Sequence, residues 1–341
     1  MSNTKKIFLD VFKTLFFLGL GVLLIWLVVK NLSEKDKSEI LAAVAEAKIS
    51  IILLVMLLGF LSNVSRAIRW QIMMEPLGKK TSFKNTLMAV LVGYLANLAI
   101  PRLGEVSRCG IIKRYENLPL DSVLGTVVVE RLTDMLLLLI VSVFTIVWQF
   151  ELLSTKLTDA FHSFFETSTQ SQIYLKLVVL LSIVSLCAGL FFFRNKIKQS
   201  KIYFKITHLL KGFSNGLKTI TQLKKPYLFV FHSLIIWLLY FVGIYIGFNA
   251  LTATSNLGVG AALAVLFFGT FAFILVQGGI GAYQIIVQNT LLIYGISANV
   301  GYALGWIIWS SQTLMVILSG LISFLLLPLL NKNKNGLSTS D

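Results

Sequence analysis

Residues 226–331 contain no Asp, Glu, Lys or Arg, although the 341-residue chain carries a formal net charge of +15. An α-helix rises about 1.5 Å per residue and needs roughly 20 apolar residues to cross the hydrocarbon core of a bilayer, so this stretch holds several crossings. A water-soluble chain could not cover so long an apolar run with polar groups. Composition agrees: 56% of residues are hydrophobic and 13% charged, whereas a soluble domain carries about a quarter charged. The chain reads as an all-α, polytopic bundle of transmembrane helices. It forms a single integral membrane domain over residues 1–330, followed by a polar cytoplasmic tail at 331–341.

The basic residues lie between apolar blocks, which suits cytoplasmic flanks facing anionic lipid and gives no reason to expect a nucleic-acid partner. The blocks fall at about 7–29, 49–65, 85–100, 122–149, 173–193, 227–250, 257–276, 284–297 and 299–330. Lys5, Lys6 and Lys13 precede the first block as they would in a signal peptide. The small residues Ala45 and Ala47 lie beyond a charged stretch, too far for cleavage, so an uncleaved first helix is expected. Lys5 and Lys6 place the N-terminus inside. Segment 30–48 balances its charges and is permitted outside, whereas 66–84 is basic and belongs inside.

Two blocks, 85–100 and 284–297, are too short to span. A full crossing at 85–100 would put Arg102, Arg108, Lys113 and Arg114 outside, against the positive-inside rule. A re-entrant hairpin at about 85–115 keeps them at the cytoplasmic side. Segment 151–172, with three acids and one Lys, reads as outside, and 194–226, with nine Lys/Arg and no acid, reads as inside. Helix 227–250 then exits and 299–330 returns to Lys332, so 257–297 begins and ends outside. A second re-entrant hairpin there, pointing the opposite way, would make an inverted repeat of broken helices around a sheltered site. Both termini are expected in the cytoplasm. Ile202, Ile206, Leu209, Phe213, Leu217 and Ile220 recur at helical spacing among lysines, which predicts a basic amphipathic helix within 194–226 at the cytoplasmic headgroups.

Charged residues inside apolar blocks cost at least a few kcal/mol each on insertion scales, so they face protein and pair. Glu130, Arg131 and Asp134 in the fourth block form such a group: either a substrate or proton site, or an ion cluster that fixes helix packing. In Pro101-Arg102-Leu103-Gly104-Glu105-Val106-Ser107-Arg108, Pro101 ends a helix and Gly104 permits a turn. Arg102, Glu105 and Arg108 recur every three residues, and guanidinium forks suit phosphate oxygens. A loop held by internal salt bridges would use the same residues. Gln277, Gly278, Gly279, Gly281 and Gln284 mark a second break, whose glycines serve either close packing or a backbone anion site. Arg66 and Arg69, beside Trp70, read either as snorkelling anchors or as site residues. Cys109, Cys187, His162, His208 and His232 have no metal-ligand spacing, and no Gly-x-x-x-x-Gly-Lys-Ser/Thr loop is present. No metal or other cofactor is expected.

Taken in order, Arg66-x-x-Arg69-Trp70, Gly93-Tyr94-x-x-Asn97, Pro101-Arg102-x-Gly104-Glu105-x-x-Arg108, Val129-Glu130-Arg131-x-x-Asp134 and Gln277-Gly278-Gly279-Ile280-Gly281 resemble the lysylphosphatidylglycerol synthase transmembrane-region family. The resemblance covers nearly the whole chain. It implies a flippase-like membrane domain, here without the cytosolic aminoacyl-transferase that follows it in fused members. It also implies membrane lipids as partners, and a separate lipid-modifying or glycosyl-transferring enzyme. The second break departs from the family pattern, with Gln277 and Gln284 where Pro and an acid are usual.

The reading is translocation of an anionic phospholipid or polyprenyl-phosphate-linked lipid across the plasma (inner) membrane. Arg102, Arg108 and Arg131 are expected to hold the phosphate, with Glu105, Glu130 and Asp134 balancing them. A membrane-embedded transferase using Glu105 or Asp134 is an alternative that lacks a donor-binding motif. A non-catalytic scaffold or a solute channel is another.

Overall fold

The structure, a computed structural model, describes residues 30, 33–78, 80–100, 102–150 and 223–332. The expected first helix, the helix at 173–193, the basic amphipathic segment up to 222, Pro101 and the tail beyond Lys332 lie outside the described residues. The chain divides into two units, residues 1–145 with 222–341 and residues 146–221. Every described candidate residue belongs to the first.

Among the described residues all regular structure is helical. The α-helices are α1 (Glu34–Ala45), α2 (Ile49–Met74), α3 (Phe83–Ala99), α4 (Leu103–Glu116), α5 (Leu120–Trp148), α6 (Pro226–Gly247), α7 (Val259–Leu275), α8 (Ala282–Leu292) and α9 (Ala298–Leu330). Three helical stretches, 49–77, 226–250 and 298–330, are long and apolar enough to cross a membrane.

The burial pattern is inverted relative to a soluble protein. On α2, Leu53, Leu57 and Leu61 are exposed, whereas Ser62, Asn63, Ser65, Arg66 and Arg69 are buried. On α9, Leu314, Leu318, Leu321, Ile322 and Leu325 face outward. Water would favour the opposite arrangement. Lipid favours this one, because only the protein interior can satisfy the polar side chains. An apolar core forms where Phe248, in the turn after α6, meets Val265, Val287, Leu291 and Leu304 of α7, α8 and α9.

Polar contacts sort the helix ends into two groups. At one end, the backbone N–H of Lys48 donates to the Ala250 carbonyl at 3.0 Å. There too, the Asn299 amide donates to Asp36 Oδ1 and Glu39 Oε2, both at 2.8 Å. At the other end, Lys225 pairs with Glu75 at 3.6 Å. Asn85 donates to Glu116, and Asn331 donates to Asn85 Oδ1 at 2.9 Å. α2, α6 and α9 each run from one group to the other.

Two pairs of helices do not. α3 and α4 pack against each other, and the Asn85–Glu116 bond brings the start of one beside the finish of the other. α7 and α8 likewise pack together; α7 follows the Phe248–Thr254 turns and α8 leads within a few residues to Asn299. The breaks of the two pairs meet inside the bundle, where a methyl group added at Gly278 would lie 3.9 Å from Leu98. The arms of the first pair are in backbone contact. A Cβ at Gly104 would fall 2.0 Å from the Gly93 carbonyl oxygen, so that position has no room for a side chain.

Two boundaries differ from the sequence expectation. α2 extends well past residue 65, because Arg66 and Arg69 are neutralised within the bundle and the helix need not end at them. They are therefore not snorkelling anchors. α8 ends at Leu292, where the chain turns through Gly295 in a left-handed conformation (φ 78°) before α9.

Candidate functional site

Arg66 and Arg69 lie one turn apart on α2 and share a face, as do Glu130 and Asp134 on α5. The two faces meet. Arg66 Nη1 donates to Glu130 Oε1 at 2.7 Å and to Asp134 Oδ2 at 2.8 Å. Arg69 Nη1 donates to Asp134 Oδ1 at 2.7 Å, and its Nη2 to Glu130 Oε1 at 3.3 Å. Arg108 on α4 brings Nη2 within 2.8 Å of Glu130 Oε2. That contact is a close ion pair, and neither atom has another hydrogen-bond partner.

Three guanidiniums thus surround two carboxylates, leaving one positive charge in excess. Side-chain exposure is 6% or less throughout, except for Asp134 at 17%. Neutral groups complete the cluster. Arg66 Nη2 donates to the Tyr240 hydroxyl at 3.0 Å and Arg69 Nη1 to Ser233 Oγ at 3.2 Å. The Arg108 guanidinium lies 4.6 Å over the Trp70 ring, whose indole N–H is held by Thr126 at 2.9 Å. Charges this deep persist only because each has opposite charge and polar partners at contact distance.

One side of this cluster opens into a cavity of about 600 Å³ lined from α2, α3, α5, α6, α7, α8 and α9. Both helix breaks reach it, the first through Asn97, Leu98 and Arg102, the second through Phe273, Gly278 and Tyr283. Its charged lining consists of Arg66, Arg102 and Arg131, with no carboxylate. The Arg66 Nε–H is itself buried and has no hydrogen-bond partner. Arg131 is half-exposed, and one of its nitrogens contacts Glu105 at 2.5 Å. Arg102 is exposed and has no carboxylate partner among the described residues. It occupies the left-handed region at φ 64°, costly for a side chain with a Cβ, and caps α4. At the second break Gly278 has the same φ of 64°, and its carbonyl accepts from the Trp309 indole at 2.7 Å. Asn97 Oδ1 accepts the Gly104 N–H at 2.8 Å, tying the first break together.

The structure therefore divides the sequence candidates. Arg66, Arg69, Arg108, Glu130 and Asp134 form the ion cluster. Arg102 and Arg131 join Arg66 in the cavity wall, and Glu105 is held by Arg131. Arg108, expected at the phosphate, is instead turned into the cluster by Glu130 and Trp70. Glu105, Glu130 and Asp134 each contact an arginine. Gln284 is fully buried and both its amide atoms lack partners. It lies outside the cavity lining, where α8 meets Gly305 of α9. The side chain of Gln277 and all of Pro101 lie outside the described residues, while Gly279 and Gly281 both take positive φ.

Ser62, Asn63, Tyr240 and Gln312 line the same cavity and were not singled out from the sequence. A signal was present in Gly59, Ser62, Asn63 and Arg66, which repeat at helical spacing on an otherwise apolar helix. Among the described residues no three His, Cys, Asp or Glu side chains converge to hold a metal ion.

The family model for the lysylphosphatidylglycerol synthase TM region matches residues 13–320. A UPF0104 membrane protein of Methanocaldococcus jannaschii is 32% identical over 98 residues, covering 28% of this chain and 29% of the relative's length. No solved structure matches the chain. The match runs from before α1 into α9 and takes in both helix breaks and the buried ion cluster: this helical membrane protein belongs to the lysylphosphatidylglycerol synthase transmembrane-region family.

Proposed function

We propose that this protein moves an anionic phospholipid or polyprenyl-phosphate-linked lipid between the leaflets of the plasma (inner) membrane, with the lipid phosphate held by Arg66, Arg102 and Arg131. The observation that carries this reading is the cavity's charged lining of three arginines and no acid. Guanidinium forks suit phosphate oxygens, and in a cavity of low dielectric an unbalanced positive wall favours an anion. Arg69 and Arg108 act behind that wall, sharing Glu130 and Asp134 with Arg66.

The helix lengths support a re-entrant role for both hairpins. α3, α4, α7 and α8 have 17, 14, 17 and 11 residues. At 1.5 Å per residue each is shorter than a hydrocarbon core of about 30 Å. Entering from opposite sides, they would meet at mid-depth and shelter their breaks with protein and a wet cavity. The end carrying Lys80, Lys84, Lys113, Arg114, Lys224 and Lys225 is the more basic and faces the cytoplasm by the positive-inside rule, with both termini on that side. A phosphate entering from one leaflet would meet Arg102 or Arg131 first, then Arg66, and rocking of one hairpin against the other would open the opposite side. A separate lipid-modifying or glycosyl-transferring enzyme would supply or consume the lipid.

Leaflet-resolved lipid movement in proteoliposomes tests the reading. Arg102→Ala combined with Arg131→Ala is expected to slow transbilayer movement of an anionic lipid at least about ten-fold, as loss of two charge-assisted contacts implies. Unchanged movement would overturn it.

A further inference from the structure

A wall of arginines fits any phosphate, and the rest of the cavity constrains what that phosphate carries. On α2, Asn63, Ser62 and Gly59 precede Arg66 and line the same cavity, within about 10 Å of it along the helix axis. Gln312 of α9 fills the notch at Gly59 so closely that a Cβ there would lie 2.1 Å from its Oε1. Its Nε2 donates to the Val55 carbonyl at 2.9 Å, which fixes the amide and leaves Oε1 as an acceptor. Ser62 Oγ spends its hydrogen on the Gly59 carbonyl at 2.7 Å, and Asn63 Nδ2 points at the Met315 sulfur at 3.8 Å. This end of the cavity therefore offers neutral oxygen acceptors.

Building on the transport reading, we infer that the headgroup is a phosphodiester bearing a neutral, hydroxylated substituent such as glycerol, another polyol or a sugar, and that headgroups bearing an ammonium are rejected. Hydroxyl groups satisfy the acceptors of Gln312, Asn63 and Ser62 without bringing a charge out of water. An ammonium at the same place would be desolvated in a cavity whose charged lining is three arginines and would find no carboxylate there. The acids that could have received it, Glu105, Glu130 and Asp134, are held by Arg131, Arg66, Arg69 and Arg108. Selectivity thus resides in the acid-free neutral end, with Gln312 as its main determinant.

The full chain in proteoliposomes, given phosphatidylglycerol, lysyl-phosphatidylglycerol and phosphatidylethanolamine with the same fluorescent acyl chain, distinguishes the outcomes. Phosphatidylglycerol is expected to cross at least about ten-fold faster than the two amine-bearing lipids, equivalent to about 1.4 kcal/mol of discrimination. Movement of all three at similar rates overturns the selectivity and leaves the transport reading standing. No movement of any of them overturns both. Gln312→Glu, which places a carboxylate of similar size at the neutral end, is expected to raise lysyl-phosphatidylglycerol movement at least about five-fold relative to phosphatidylglycerol, and Asn63→Asp is expected to act in the same direction. An unchanged ratio in both variants, with phosphatidylglycerol still transported, would remove Gln312 and Asn63 as the determinants.

Discussion

Glu130 contacts all three buried guanidiniums, at 2.7, 3.3 and 2.8 Å. Removing its charge would leave Asp134 alone against Arg66, Arg69 and Arg108. Glu130→Gln is therefore expected to destabilise the detergent-solubilised protein by about 3–5 kcal/mol, the cost of orphaning a buried ion. Chemical unfolding followed by tryptophan fluorescence would register it, and an unmoved midpoint would contradict the cluster's structural role. Arg102 behaves oppositely. It is exposed, has no acidic partner among the described residues, and holds φ 64°. Arg102→Gly relieves that backbone cost and is expected to stabilise by about 0.5–1 kcal/mol while slowing lipid movement. Stability and transport measured on one preparation should move in opposite directions.

At the scale of elements, close backbone approach holds the first hairpin together. Gly104→Ala would drive a methyl group to 2.0 Å from the Gly93 oxygen and 2.6 Å from Asn97 Cγ. The arms must separate, at a cost of about 1–3 kcal/mol as in other overpacked interiors. Earlier elution on size exclusion, as the arms spread, and a lowered unfolding midpoint are the expected readouts. α1 is attached differently. Ser33 and Asp36 form a reciprocal capping box, and Asn299 of α9 donates to Asp36 and Glu39. Hydrogen bonds from Ser33, then Asn299, hold the Asp36 carboxyl below its usual value of 3.8. A depressed folded pKa means the stabilisation is complete above the unfolded value and is lost as pH falls through the lower folded one. Hydrogen exchange should therefore show α1 equally protected from pH 7 to 5, with protection falling below about pH 4. Loss of protection already at pH 6 would point to another group.

For the whole molecule, the two groups of helix ends become two membrane faces once a bilayer is placed around the exposed leucines. Lys113 at the basic end and Thr252 at the other are both exposed. In a chain with Cys109 and Cys187 replaced by Ser, Lys113→Cys is expected to react with a membrane-impermeant maleimide only from the cytoplasmic side. Thr252→Cys should react only from the opposite side. Reaction of both from one side would refute the opposed hairpins and, with them, a gated path between leaflets.

The sequence alone determined that the chain is helical and membrane-bound, because an uncharged stretch from 226 to 331 leaves no soluble alternative and hydrophobicity depends on composition, not on contacts. It also marked Glu130, Arg131 and Asp134 as residues that must face protein and pair, since charge in lipid is costly wherever it sits, and it singled out Arg66, Arg69, Arg102 and Arg108 as candidates. Which charge meets which was decided by tertiary structure. Pairing depends on the rotation and placement of α2, α4 and α5 relative to one another, which the periodicity of each helix alone does not fix. Arg108 was thereby turned away from the cavity and Arg66 toward it. Gln312 and Tyr240 became site residues for the same reason: neutral polar groups scattered in apolar helices carry no periodic signal, and only the packing of α6 and α9 against α2 gives them a common cavity.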